Sequence, residues 1–177
     1  MIRTKRLTIR LLETIDLEAA RELHNESSTL NMLTDPFHVS KEEQIVWFET
    51  LSKSRTSRRY AIILSENKRF CGIIRVDRID LVNKSAEIGA DISPEFRRQG
   101  LATEAYCGLI QYLFKSLGLH RLQLLTRLEN QAAISLYAKI GFKEEGILRD
   151  ALFRDGVYSN LILMSMLSSE WEGSDNE

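Results

Sequence analysis

The sequence predicts an α+β fold, in which a mixed, mostly antiparallel and twisted sheet of about seven strands is flanked by about four helices. Two patterns predict it. Short runs alternate apolar and polar residues, as half-buried strands do, and longer runs repeat apolar residues every three or four positions, as amphipathic helices do. Their order is a strand, two helices, three strands, a helix, a strand, a helix and two strands. This order implies one mixed sheet.

The first half of the chain supplies a strand, two helices and three strands. Residues 7–11 alternate and predict the first strand, and residues 16–24 predict a short helix. The capping box Ser40-Lys41-Glu42-Glu43 begins the second helix. Between residues 25 and 39 no period is visible, which indicates an exposed, adaptable segment. Three antiparallel strands are expected at residues 60–64, 70–76 and 86–92.

The second half contains the longest amphipathic pattern, which runs from about residue 101 to Leu117 and is stopped by Gly118. A strand at residues 121–126 follows, and then a helix that Asn130 caps and Gly141 ends. Strands at residues 142–148 and 158–167 complete one domain, residues 1–167. Residues 168–177 are polar and acidic, and we expect a frayed tail.

Composition and charge narrow the class of function. The 24 basic and 25 acidic residues nearly cancel, so direct nucleic-acid binding is not indicated. No run is long and apolar enough for a signal peptide or a membrane span, which makes the cytoplasm the expected location. Neither Cys71 nor Cys107 has a metal-ligand spacing, and the three histidines are scattered. We therefore expect free thiols and no metal.

The strand-to-helix turn before the long helix carries the first chemical signal. The turn is Arg97-Arg98-Gln99-Gly100-Leu101-Ala102, with Thr103 on the first helical turn. A helix that begins this way presents unpaired N–H groups, glycine permits close approach of a ligand, and two arginines add positive charge. The turn therefore predicts a diphosphate site, and the alternative is an ordinary helix N-terminus with solvated arginines.

A second motif downstream supports the chemical interpretation, namely Asn130-x-x-Ala133-x-x-Leu136-Tyr137-x-Lys139-x-Gly141-Phe142. Together the two motifs resemble the GNAT superfamily of acetyl-CoA-dependent N-acetyltransferases. The opening Thr4-Lys5-Arg6-Leu7-x-x-Arg10 and the ending Glu145-Gly146-x-x-Arg149, then Asp155-Gly156-x-Tyr158, are similar to the RimJ/RimL-type branch. The resemblance covers about residues 3–167. Ala102 stands where glycine is commoner in the family, and alanine also occurs there.

The resemblance implies a GNAT fold, acetyl-CoA as cosubstrate and no metal. It implies that the strand ending at Ile92 parts from its neighbour and pairs with the pantetheine arm. The turn then holds the diphosphate, and Asn130 contacts the cofactor arm while it caps its helix. The expected cofactor-binding residues are Asp91, Ile92, Ser93, Arg97, Arg98, Gln99, Gly100, Leu101, Ala102, Thr103 and Asn130.

Two residues are expected to act in catalysis by the same resemblance. The phenol of Tyr137 would protonate the departing CoA thiolate, because its acidity is close to that of a thiol. Glu87 would deprotonate the amine, directly or through water. The alternatives stay open: Tyr137 lies on the apolar stripe of its helix, as a core aromatic would, and Glu87 has the position of a solvated strand carboxylate.

The sequence identifies the acceptor amine less closely than it identifies the cosubstrate. We expect selectivity in the segment from His24 to Trp47, with Asp35 and Phe37 as substrate-binding residues. Three classes fit the RimJ/RimL-type branch: a protein N-terminal amine of the ribosomal type, a polyamine such as spermidine, and a nucleotide-linked amino sugar. A non-catalytic acyl-CoA-binding module is the alternative from another class. Strand addition at an exposed edge of the final strand would make a homodimer.

Overall fold

One eight-stranded sheet organises the computed structural model, which describes residues 1–33 and 37–173. The strands are β1 (Ile2–Arg3), β2 (Leu7–Leu11), β3 (Arg58–Leu64), β4 (Phe70–Asp80), β5 (Ser85–Ile92), β6 (Arg121–Arg127), β7 (Lys143–Arg154) and β8 (Val157–Leu167). Their order across the sheet is β1-β2-β3-β4-β5-β6-β8-β7. The predicted α+β fold with a mixed, mostly antiparallel sheet is confirmed.

Five helices accompany the sheet in the described part of the chain: α1 (Leu17–Asn25), α2 (Ser27–Leu30), α3 (Lys41–Lys53), α4 (Leu101–Gln111) and α5 (Gln131–Ile140). A π-helical turn, Tyr112–Ser116, prolongs α4. The sequence did not predict β1 or α2. Two and four residues are too few to display a period, and both elements are held by tertiary contacts instead.

The only parallel pair among these strands is β5 with β6, and it is short. Its register joins Ser85 to Arg121, Ala86 to Leu122 and Glu87 to Gln123. Beyond Glu87 the two strands separate, while β4 continues beside β5 as far as Ile92. The fold therefore opens a gap between β5 and β6 at the end where α4 begins.

The two faces of the sheet pack against different helices. Alternate residues of a strand point to opposite faces. On β3, Ile62 packs in the larger core with α4, whereas Ala61 and Ile63 pack in a second core with α1 and α3. On β5, Ile88 and Ile92 belong to the larger core. Glu87, Gly89 and Asp91 therefore face the side of α1 and α3.

The free edge and the tail differ from expectation. The final strand, β8, lies between β6 and β7, because β7 folds back outside it as a long hairpin, so the edge that remains exposed belongs to β7. The tail begins with an ordered turn, Ser168–Glu170, and the indole N–H of Trp171 donates to Gln111 on α4 over 2.8 Å. The prediction of a frayed tail is therefore wrong for residues 168–171, because that hydrogen bond fixes them to α4.

Candidate active site

The gap between β5 and β6 is a cavity of about 540 Å³. The end of β5, the middle of β6, the first turn of α4 and the inner face of α5 supply its walls. Residues 28–33 close it on the remaining side through Ser28, Thr29, Met32 and Leu33. The two sequence motifs thus meet at one cavity.

The turn before α4 has the backbone shape of an anion site. Arg98 and Gly100 both have positive φ, +61° and +76°, in the left-handed region. No side chain caps the N-terminus of α4, and the first N–H that bonds within the helix is that of Glu104, to the Gly100 carbonyl. N–H groups of a first helical turn without a cap are suited to bind phosphate oxygens. The residues present therefore fit the diphosphate of acetyl-CoA.

A carboxylate from α4 fixes this turn to the N-terminal strands. Glu104 accepts hydrogen bonds from the Thr4 hydroxyl and from the Arg6 N–H and Nε, each over 2.6 Å. Burial would raise the pKa of Glu104, but these hydrogen bonds lower it below its usual value. Arg6 also donates to the Gln99 carbonyl over 2.9 Å. The Thr4-Lys5-Arg6 motif at the start of the chain thus supports the turn.

Two tyrosines form the inner end of the cavity. Tyr137 on α5 and Tyr106 on α4 meet edge to face, with ring centroids 5.6 Å apart, and their hydroxyl oxygens are 3.4 Å apart. Both line the cavity and both are almost fully buried. Burial raises the pKa of Tyr137, against the smaller lowering effects of Tyr106 and Arg75. Each hydroxyl therefore stays protonated through the neutral range.

An ion pair borders the same cavity on β4 and β5. Arg75 lies 3.3 Å from the Asp91 carboxylate and 3.7 Å from that of Asp77. Its guanidinium crosses Gly89, where an added Cβ would lie 2.5 Å from the guanidinium carbon, so a side chain at this position would displace the end of the arginine. Asp91 is the sole acidic residue among the described residues that line the cavity.

Most of the residues predicted for acetyl-CoA binding lie together. The cavity is lined by Asp91, Ile92, Arg97, Arg98, Gly100, Leu101, Ala102 and Asn130, with Tyr137 beside them. Ser93, Gln99 and Thr103 are not in its lining. Both backbone groups of Ser93 are already paired, the N–H with the Cys71 carbonyl and the carbonyl with the Phe96 N–H. Asn130 caps α5 through the N–H of Ala133.

The structure does not bring Glu87 into the cavity. Glu87 lies four residues before Asp91, roughly 13 Å along the strand, and its carboxylate pairs with Arg78 over 3.0 Å. Phe37 lies outside the cavity lining, and its side chain is 75% exposed. Asp35 lies outside the described residues. No group of three or more His, Cys, Asp and Glu side chains within the described chain is arranged to hold a metal.

Sequence reasoning did not anticipate Arg75, Tyr106 or Arg127, whereas residues 28–33 lie within the segment from His24 to Trp47 in which selectivity was expected. Tyr106 looked like a core aromatic because it lies on the apolar stripe of α4. Arg75 reaches Asp91 only through the register of β4 with β5. The one available signal was two charged residues, Arg75 and Asp77, at alternate positions of a strand that otherwise enters the core.

Comparison with known proteins places these features in a family. The family described as Acetyltransferase (GNAT) domain matches residues 6–143. The chain is 34% identical over 175 residues to the Bacillus subtilis protein named "Putative ribosomal N-acetyltransferase YdaF", with 94% of each chain covered. It is 30% identical to the spermidine N(1)-acetyltransferase of Escherichia coli, with 92% of this chain and 87% of that protein covered.

A solved structure agrees with the fold. The crystal structure of spermidine N-acetyltransferase from Vibrio cholerae in complex with CoA and spermine superimposes with a TM-score of 0.89. The sequence identity is 28%, and the match covers 94% of this chain and 98% of that one. The predicted resemblance is therefore confirmed for the fold as well as for the sequence.

Proposed function

The chain belongs to the GNAT acetyltransferase family, and on that premise we propose that its acceptor is the N-terminal amino group of a protein of the ribosomal type. The activity itself is N-acetyl transfer with acetyl-CoA as cosubstrate. Assignment to the RimJ/RimL-type branch is part of the proposal. It is supported by the similarity to the B. subtilis relative, whose name refers to ribosomal acetylation.

The charge of the cavity is the observation that carries the acceptor proposal. Four arginines, at positions 75, 97, 98 and 127, line it, and the only carboxylate among its described lining residues, Asp91, is paired with Arg75. A polyamine brings several positive charges, which would be buried beside arginines without a free carboxylate. A peptide N-terminus brings one positive charge, and the amine loses that charge before it attacks the thioester. The polyamine remains the second candidate because two relatives act on spermidine.

Binding of acetyl-CoA uses the turn and the end of β5. The N–H groups at the start of α4 and the side chain of Arg98 bind the diphosphate. The edge of β5 that β6 leaves open, near Asp91 and Ile92, is free to pair with the amide groups of the pantetheine arm. This places the thioester toward Tyr137, at the inner end of the cavity.

Transfer is direct, within a ternary complex. The neutral amine attacks the thioester carbonyl carbon, the carbon–sulfur bond breaks, and the sulfur takes the proton of the Tyr137 hydroxyl. The proton lost by the acceptor nitrogen passes to solvent or to a carboxylate. Burial raises the pKa of both Cys71 and Cys107, and neither lines the cavity, which supports transfer without an acetyl-cysteine.

We propose Glu87 as the carboxylate that receives the acceptor proton through a chain of water molecules, since it lies on the strand face of Asp91, roughly 13 Å away along β5, and is mostly buried. Glu87→Gln should lower kcat by about tenfold or more near neutral pH. Glu95→Gln, on the exposed turn before Arg97, is the matched control. A kcat for Glu87→Gln equal to that of the unmodified enzyme removes Glu87 from the mechanism.

The edge of β7 supports a proposal about assembly. Its strand is exposed along nearly its whole length, and Ile147, Phe153 and Tyr158 are half exposed on this hairpin. We propose that a second copy pairs there, since an open strand edge with apolar side chains is a template for strand addition. Sedimentation velocity should give a dimer, and Ile147→Lys a monomer. A monomer in both cases contradicts the proposal.

The cytoplasm is the proposed location, since newly made ribosomal proteins and acetyl-CoA are both present there. No helix in the described part of the chain has the length and apolar character required to cross a bilayer. Fractionation of cells that express the protein tests the location.

The acceptor class is tested by thiol release from acetyl-CoA. We expect release with a peptide that carries a free N-terminus, and none with the same peptide acetylated at its N-terminus, even if it contains lysine. EDTA is present in each assay, because the proposed chemistry needs no metal. Equal release with the blocked peptide would contradict the proposal.

A further inference from the structure

Residues 26–33, here called the acceptor wall, have little packing of their own to hold them over the cavity. The helix within the wall, α2, has four residues, and only Thr29 is buried. Met32, which lines the cavity, is 54% exposed. One turn of helix is unstable without tertiary support. Other contacts must therefore fix the wall.

Three arginines from three separate elements make these contacts. Arg97, in the diphosphate turn, donates to the Ser28 hydroxyl over 2.5 Å and to the Thr29 hydroxyl over 2.7 Å. Arg127, on β6, donates to the Asn31 carbonyl over 3.2 Å, and Arg154, on β7, donates to the Leu33 carbonyl over 2.8 Å. The wall is thus held at its beginning, middle and end.

Each arginine also bonds to a group of the domain outside the acceptor wall. Arg97 donates through Nε to the Ile92 carbonyl over 2.8 Å, and Arg127 donates to the Ser159 hydroxyl on β8 over 3.2 Å. Arg154 donates to its neighbouring carbonyl, that of Phe153. A planar guanidinium with five donors can bridge two groups in this way, which a lysine cannot do with the same geometry.

The first arginine connects the wall to the cofactor side. The Glu26 carboxylate accepts bonds from the hydroxyl and N–H of Ser28, which lower the pKa of Glu26 to about 2, and it lies 3.6 Å from Arg97. Arg97 itself precedes Arg98 and Gly100 in the turn fitted to the diphosphate. A shift of that turn would therefore move the beginning of the wall.

We propose that Arg97, Arg127 and Arg154 are positioning residues that hold residues 26–33 as the acceptor wall of the acetyl-transfer site. Arg127 and Arg154 act on the acceptor alone. Arg97 couples the wall to the diphosphate turn. The inference rests on the proposed function for the identity of the acceptor, but not for the order of the wall.

Hydrogen–deuterium exchange of the full-length protein tests the wall without an acceptor. Loss of one hydrogen bond to a charged donor should speed exchange of the amides in residues 29–33 by about 10-fold or more. We expect this in Arg127→Gln and Arg154→Gln. Arg121→Gln is the matched control, because Arg121 is also a half-buried arginine on β6 but bonds to Glu145 and Ser165, outside the cavity.

Kinetics separate positioning from general damage. With the peptide acceptor, Arg127→Gln and Arg154→Gln should raise its KM by about 3- to 10-fold and change the Kd for CoA by less than about twofold. Thr29→Val, which removes a partner of Arg97 and leaves the arginine, should speed exchange in the wall without unfolding the domain.

Exchange in residues 29–33 that stays at the unmodified rate in all three variants, or that rises as much in Arg121→Gln, overturns the proposal. If the peptide is not acetylated at all, the acceptor proposal fails, whereas the exchange result still decides the role of the arginines.

Discussion

Gly100→Glu should abolish measurable acetyl-CoA binding, with the Kd raised at least about 100-fold. Gly100 has a φ of +76° and is the N-cap residue directly before α4. A side chain there is strained by roughly 1–2 kcal/mol, and a carboxylate would stand where the diphosphate binds. Loss of two charge-assisted hydrogen bonds alone removes about 3–6 kcal/mol of binding free energy. Isothermal titration calorimetry with CoA measures the effect.

Gly118→Glu is the control that separates backbone strain from the effect of the carboxylate on CoA binding. Gly118 also has a left-handed φ, +63°, and it adjoins the other end of the same helical segment, with open space around an added Cβ. The two variants should lose similar stability in thermal unfolding, and only Gly100→Glu should lose CoA. Unchanged CoA binding in a folded Gly100→Glu protein would contradict the diphosphate assignment.

Tyr137→Phe should lower kcat by about 100-fold or more while the KM for acetyl-CoA stays within about twofold, because a general acid contributes to the transition state more than to binding. The ring remains, so its packing on Tyr106 and Phe142 is kept. Since burial raises the pKa of Tyr137 above its usual value of about 10, its acid form is present throughout the neutral range. The acid function should therefore be lost only above about pH 10.

Two further tyrosine variants make the result specific. Tyr112→Phe removes a hydroxyl outside the cavity and should leave kcat unchanged. Tyr106→Phe removes the hydroxyl 3.4 Å from that of Tyr137, and this long contact predicts a loss of less than about tenfold. A larger loss of kcat in Tyr106→Phe than in Tyr137→Phe would contradict this assignment and would indicate that Tyr106 supplies the proton.

Local patterns in the sequence predicted most of the strands and helices and the fold class. Residues 7–11 and 86–92 alternate because one face of each strand is buried, and α4 repeats apolar residues because one stripe faces the sheet. The position of β8 between β6 and β7 could not be read in the same way. A hairpin fits the sheet in either order with the same alternation, and packing against β6 decides between them.

The residues of the site were likewise predictable only where they form a contiguous motif. The turn at Gly100 and the segment around Tyr137 are contiguous motifs, so the sequence displays them. The bonds from Arg97, Arg127 and Arg154 to the acceptor wall join residues 68, 96 and 121 positions apart. Arg97 belongs to the turn motif, whereas Arg127 and Arg154 belong to no motif, and no sequence pattern relates the three arginines to residues 26–33. Only the folded chain assigns them a common partner.

Acetyl transfer to a peptide N-terminus, compared with spermidine and a nucleotide-linked amino sugar at equal concentration, tests the central claim most directly. The measurement is kcat/KM for thiol release from acetyl-CoA, with the acetylated product confirmed by mass spectrometry. The charge of the cavity predicts a peptide value at least about tenfold above the spermidine value, since burial of unpaired cations is costly. A spermidine value equal to or above that of the peptide would contradict the proposed acceptor.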